Sequence, residues 1–211
     1  MPVPTADAIE AEVDGRRLRR QQNREAVLDA LVELFDEGDY TPGTTKVAER
    51  AGISARSLFR YFDDVDDLHR AAIERSRLTA APLAVMDIDP DAPTAEKVIA
   101  FVEARVRLHE AVGNAERATR LSAHRHDVIA AQLREGRAFF RNQARAVFAP
   151  ELEVADAALL PAVDALTSIE TYDLYRTTHG LSRTRAIAAL VTALTALLNH
   201  KGTPLRPRGD R

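Results

Sequence analysis

Cysteine and tryptophan are absent from the 211 residues, and aromatic side chains make up only 5% of them. Without thiols there can be no disulfide framework, no thiolate nucleophile and no cysteine-ligated zinc. Glycine and proline number 9 and 10, and no segment sustains the period-two alternation of Val, Ile and Tyr that a half-buried strand needs. Long apolar runs are missing as well. The most apolar stretch, 186–198, is interrupted by Thr192 and Thr195 and falls short of the roughly 20 residues that cross a bilayer. The N-terminus lacks the charged-then-apolar order of a signal peptide. Charge of one sign is not in excess either: 29 Lys and Arg stand against 32 Asp and Glu, a formal net charge of −3, so composition alone announces neither a polyanion nor a membrane as partner. What is present, 45% apolar and 29% charged residues, suffices to build packed domains. The expectation is a cytoplasmic, all-α protein with no membrane partner.

The helical pattern lapses where Pro82, Pro90 and Pro93 fall close together. This suggests an N-terminal domain over 15–80 and a second over 88–203, with flexible tails at 1–14 and 204–211. In the first, Val27, Leu28, Leu31, Leu34 and Phe35 form one stripe at helical spacing, ended by Gly38. Thr45 is placed to cap a short helix carrying Val47, Ala48 and Ala51, closed by Gly52, and Ser54 to cap another bearing Leu58 and Phe62. Asp63 and Asp64 open a fourth helix, where acids suit the positive end of the dipole.

Two short helices joined by Ala51-Gly52-Ile53-Ser54 have the length and glycine turn of a helix-turn-helix, which presents its second helix outward. With Leu58 and Phe62 inside, Ala55, Arg56, Phe59 and Arg60 lie away from or beside the buried face at about 100° per residue. Guanidinium forks match guanine edges and phosphates, and the small Ala55 and Ser57 permit close approach to bases. Charge is arranged rather than abundant. Residues 1–80 hold 12 basic and 16 acidic side chains, yet 16–24 contain Arg16, Arg17, Arg19, Arg20 and Arg24 with no acid, and 40–62 contain Lys46, Arg50, Arg56 and Arg60 against Glu49 alone. An arm and one face are basic.

The order REAVLDALVELFDEGDY, TTKVAERAGIS, ARSLFRYF, DDLHRAA over residues 24–72 resembles the TetR family of bacterial transcriptional repressors. The resemblance implies an N-terminal helix-turn-helix domain and a C-terminal helical bundle for dimerisation and ligand binding. It adds Thr44, Thr45, Ser54, Ser57 and Tyr61 to the DNA-contacting candidates, beside Ala55, Arg56, Phe59, Arg60 and the arm of Arg16, Arg17, Arg19 and Arg20. Phe59 stands where Tyr is commoner in the family, and Val65 where many members carry Lys. The implied partners are a pseudo-palindromic double-stranded operator, a second copy of the chain, and a small-molecule effector. The family's dimer interface is built from the last two long helices, which 156–178 and 182–200 resemble. Ile187, Leu190, Leu194 and Leu197 step along the second of these as a seam that wants another helix.

Six of the 11 aromatic residues lie within 95–178, and helix bundles favour apolar pockets with a few polar anchors. Phe101, Phe139, Phe140 and Tyr175 are the candidate walls of an effector pocket, with Arg105, His109, Glu170 and Thr171 as candidate anchors. No metal or cofactor is expected, since His124 and His126 project about 200° apart on a helix and do not converge. There is also no G-x-S-x-G, P-loop or HExxH to suggest an enzyme. The alternative reading is an all-helical small-molecule-binding protein that does not act on DNA.

Overall fold

The computed structural model describes residues 6–124 and 126–199, with side chains from residue 15 onward. Helices α1 (Ala6–Asp36), α2 (Thr44–Arg50), α3 (Ala55–Leu58), α4 (Val65–Ala84), α5 (Thr94–Ala123), α6 (Asp127–Val147), α7 (Ala149–Glu153), α8 (Leu159–Leu166), α9 (Ile169–Asp173) and α10 (Arg183–Asn199) follow in order. A π-helical turn spans Leu174–Thr178, and no strand occurs among the described residues. The all-α class follows. Residues 6–14, expected as tail, continue α1, while 1–5 and 204–211 lie outside the described residues.

The chain divides into two compact units. One runs up to Thr79 and includes Asn114–Leu133; the other comprises Ala80–Gly113 and the chain from Arg134. In the first, the stripe Val27, Leu28, Leu31, Leu34 and Phe35 is buried against Val47, Ala48, Leu58, Phe62, Leu68 and Ala72, joined by Ala118 of α5. Each short helix ends and starts on local chemistry. Gly52 takes φ +70°, its N–H reaches the Glu49 carbonyl (3.1 Å) and Ile53 N–H the Ala48 carbonyl (3.0 Å). These are the two bonds of a Schellman end, with Ile53 packed on the core beneath. Ser54 Oγ accepts from Ser57 N–H at 3.1 Å and starts α3. Asp64 Oδ1 accepts from Asp67 N–H at 2.7 Å and starts α4. The cap of α2 is Gly43, without a side-chain bond, and Thr44 is already helical, so Thr45 does not cap. Pro82 lies inside the last turn of α4. There its missing N–H forfeits only a terminal bond, and the helix ends at Ala84 rather than before the proline.

In the second unit Val98, Phe101, Val102 and Val106 of α5 pack with Ala144, Val147 and Phe148, with Val163 and Tyr172, and with Ala186, Leu190 and Leu194 of α10. Two expectations change here. The stretch 156–178 is not one long helix. Thr167 Oγ1 and Ser168 Oγ bond the carbonyls of Val163 and Ala165 at 2.8 Å each, and Ser168 restarts the chain as the cap of α9; hydroxyls competing for helix carbonyls break the run. The apolar seam of α10 is also split. Leu190 and Leu194 are buried in their own unit, whereas Ile187 and Leu197 are only partly so.

Candidate nucleic-acid interface

The outward side of the helix-turn-helix is built from what α3 cannot bury. Regular α-helix stops at Leu58, after which Arg60 N–H bonds the Ser57 carbonyl (3.1 Å) and Tyr61 N–H the Leu58 carbonyl (3.0 Å). These i→i−3 bonds tighten the turn to about 120° per residue, so Arg56 and Phe59 share one edge and Ser57 and Arg60 another. Phe59 is half exposed. Arg56 and Arg60 are exposed, and their guanidiniums bond nothing among the described residues. Ala55 is partly buried and packs on the core, so it adds backbone proximity more than a contacting side chain. The hydroxyls of Ser54 and Ser57 lie 2.8 Å apart and serve each other and the cap.

Helix α1 flanks this turn. Arg20 Nη2 donates to the Arg60 carbonyl (3.2 Å), Asn23 Nδ2 to the Tyr61 hydroxyl (2.9 Å), and the Arg24 guanidinium sits 5.0 Å from the centre of the Phe62 ring. The Tyr61 hydroxyl therefore fixes the turn while its own proton stays available. Arg16, Arg17, Arg19 and Arg20 are all exposed one to two turns N-terminal on the same helix, and Arg19 Nε reaches the Gly15 carbonyl at 3.4 Å. Asn23 was not singled out from sequence and Arg24 was counted only in the charge of the arm, although residues three and four beyond Arg20 share its helix face.

The cations of α2 are neutralised from the end of α1 and its turn. Arg50 holds Glu37 through both oxygens at 2.8 Å, with Glu33 at 3.4 Å, and Lys46 meets Asp39 at 2.7 Å. Hydrogen bonds from these cations hold Glu37 and Asp39 below the ordinary carboxylate range. Thr44 is half-buried and Thr45 exposed at the start of α2. Positive charge that meets no acid among the described residues is thus left on the Arg56–Arg60 face.

Residues 27–72 match the model of the "Bacterial regulatory proteins, tetR family". This segment is similar to that family's N-terminal domain. Over 62 residues the chain is 36% identical to the HTH-type transcriptional activator FasR of Mycolicibacterium smegmatis, a match spanning 29% of this chain and 28% of that relative. In fold, the chain is similar to a transcriptional regulator of Streptomyces coelicolor A3(2), with TM-score 0.60, 21% identity, and 85% and 99% of the two chains covered. It is also similar to the TetR-like regulator LfrR of Mycobacterium smegmatis, solved in complex with proflavine, with TM-score 0.51, 20% identity, and 84% and 97% covered.

The effector candidates fall into two groups. Phe101, Arg105 and His109, one turn apart on α5, are buried, and the rings of Phe101 and Phe140 lie 4.9 and 4.6 Å from the Arg105 guanidinium carbon. Arg105 donates to Gln143 Oε1 (3.2 Å) and the Phe140 carbonyl (3.1 Å). His109 lies edge-on to Phe140 and stacks with Tyr172. The second group lies at the margin of this cluster, with the Phe139 ring 5.6 Å from that of Phe140 and Tyr175 packed on the core that holds Phe101. Glu170 is exposed and pairs with Arg137, Thr171 Oγ1 bonds the Ala165 carbonyl (2.8 Å), Phe139 is half exposed, and Tyr175 leans on His179. Sequence reading passed over Tyr172 and Thr167, which complete the buried cluster. The Tyr172 hydroxyl donates to Glu110 Oε1 at 2.8 Å, and Arg183 Nε holds the other oxygen, Oε2, at 2.9 Å. No described helix is long and apolar enough to cross a membrane.

Proposed function

We propose that the protein is a transcriptional regulator, a homodimer that binds a pseudo-palindromic operator and is released from it, as a repressor, by a small apolar effector. The observation that carries this reading is the separation of cations in the first unit. Arg50 and Lys46 are tied to acids, while Arg56 and Arg60 point outward from a capped helix-turn-helix with no partner among the described residues. Uncommitted guanidiniums on an outward turn suit base edges and phosphates. The arginines of α1 extend the positive track for contacts that position rather than specify.

A single short helix reads few base pairs, so two-fold pairing is needed for specificity. The outward positions of α10, with exposed Ala188, Thr192 and Ala196 beside part-buried Ile187 and Val191, support pairing with a second copy. Leu190 and Leu194, whose side chains are committed inward, are left to the core. Selection from random duplex DNA tests the reading: an enriched inverted repeat with half-sites about 10 bp or a multiple apart, bound less tightly as salt rises, is the expected result. Recovery of no sequence would favour a helical ligand-binding protein that does not act on DNA. A reporter placed behind the enriched site decides the sign of regulation, since the curated relative is named an activator.

A further inference from the structure

We propose that the buried cluster of α5, α6, α8 and α9 around His109 takes an aromatic effector that carries a hydroxyl or N–H donor, which it hands to His109 Nδ1. This rests on the reading above, for it names the ligand class of the effector site. The chemistry follows from one hydrogen bond. His109 is 3% exposed and its Nε2 lies 3.0 Å from the Thr167 carbonyl oxygen. A carbonyl only accepts, so Nε2 carries the proton, and in a neutral imidazole Nδ1 is then a bare acceptor. Burial keeps the ring neutral by pushing its pKa down to about 4, against the opposing pull of the Thr167 carbonyl, Asp173 and Glu170, and with Arg105 adding to the depression. Nδ1 itself is buried and has no partner. A buried acceptor without a donor is costly and uncommon, and calls for a group that fills it.

The surroundings select the rest of the molecule. Phe140 stands edge-on and Tyr172 face-on to the imidazole, at centroid distances of 6.2 and 6.3 Å, and Phe101 covers the far side of Arg105. These rings touch one another, and their faces and edges suit an aromatic body packed against them. The Tyr172 hydroxyl is engaged with Glu110 and the terminal nitrogens of Arg105 with Gln143 and the Phe140 carbonyl; Nδ1 is left as an acceptor without a donor, and Arg105 Nε of the same cluster as a buried donor that makes no hydrogen bond. The wall bearing Tyr172 is also the least regular part of the unit: a five-residue helix runs into the π-helical turn Leu174–Thr178. Single π turns inside helical segments recur at functional sites.

The test uses the full chain and two probes with one body, 2-naphthol, which can donate, and 2-methoxynaphthalene, which cannot. Calorimetric titration should show 2-naphthol binding about tenfold or more tightly than its ether, and His109→Phe should abolish that preference. In the unmutated chain, ¹⁵N spectra of histidine should show the Nδ1 signal of His109 moving with 2-naphthol and unmoved by the ether, a readout independent of any variant's folding. Equal affinity of the two probes, no binding of either, or a preference that survives His109→Phe would overturn the assignment. Because none of these measurements involves DNA, they stand apart from the operator selection. Binding of 2-naphthol that leaves operator affinity unchanged would uphold the site and overturn effector control.

Discussion

Arg60 and Arg105 carry the same side chain into opposite surroundings. Arg60 stands in water at the end of the second helix of the turn, whereas Arg105 is 3% exposed between two phenyl rings with its fork already bonded. Water satisfies an exposed guanidinium until a phosphate or a base replaces it, so Arg60 adds little to folding and is available for binding. Withdrawing Arg105 from water is costly and is offset only by its ring faces and acceptors, so its place belongs to the architecture of the second unit. Lys97 follows the same logic, 2% exposed against Glu151 at 2.8 Å and the Pro90 carbonyl at 2.7 Å. One unit keeps its cations outside and its apolar stripe inside, and the other folds cations into the core.

The strongest way to break this contrast is Leu194→Asp. It places an unpaired carboxylate in the second core and should cost about 4 kcal/mol or more, seen as loss of the cooperative thermal transition. A folded monomer in sedimentation would instead return Leu194 to a surface between copies. Arg105→Ala should follow at about 3 kcal/mol, since it strips both ring contacts and two hydrogen bonds, and chemical denaturation measures it. A loss below about 0.5 kcal/mol would erase the difference drawn between the two arginines.

His109 adds a pH dependence of definite sign. Its folded pKa of about 4 lies below the ordinary 6.5, so above pH 6.5 the ring is neutral folded or unfolded. As pH falls the unfolded chain takes the proton first. Stability should therefore drop by about 3 kcal/mol between pH 6.5 and 4 from this group alone. The difference between the unmutated chain and His109→Phe in denaturation midpoints across that range isolates it from the carboxylates. Parallel curves would show that the ring is hydrated.

The smallest effect on folding is expected where the effect on binding is selective. Arg56→Ala and Arg60→Ala should leave stability within about 0.5 kcal/mol, yet each should cost about 1–3 kcal/mol of operator affinity and relax one base position. A loss spread evenly over all operator variants would make the residue a phosphate contact. Arg50→Ala, which removes a cation held by Glu37, should leave both stability and operator affinity close to those of the unmutated chain.

The helix-turn-helix was legible because its signals are local: the stripe from Val27 to Phe35, glycine closing α2 and serine opening α3 all act within a few residues. What escaped depends on pairs remote in sequence. Nothing near Arg50 announces that Glu37 claims it, and the break at Thr167 and Ser168 arises from hydroxyls that helices often tolerate. The α10 seam was read as one surface although two layers compete for it, with Leu190 and Leu194 drawn inward by Val163 and Phe101. Among the effector candidates, Phe101, Arg105, His109 and Phe140 gather in the structure, while Glu170, Thr171, Phe139 and Tyr175 lie on other partners, because aromatic content marks a segment and not a direction.

The bare N-cap of α2 has a consequence for the unfolded chain. Gly43 sits at φ −69° and ψ 151°, and a Cβ added there would meet nothing within 4 Å. The backbone shape at this position is open to every L-amino acid, and glycine here serves mainly to enlarge the ensemble that folding must collapse. Serine or aspartate at 43 would restrict that ensemble and supply the missing acceptor at once. Glycine at 43 thereby lowers the stability of this helix start without shaping it.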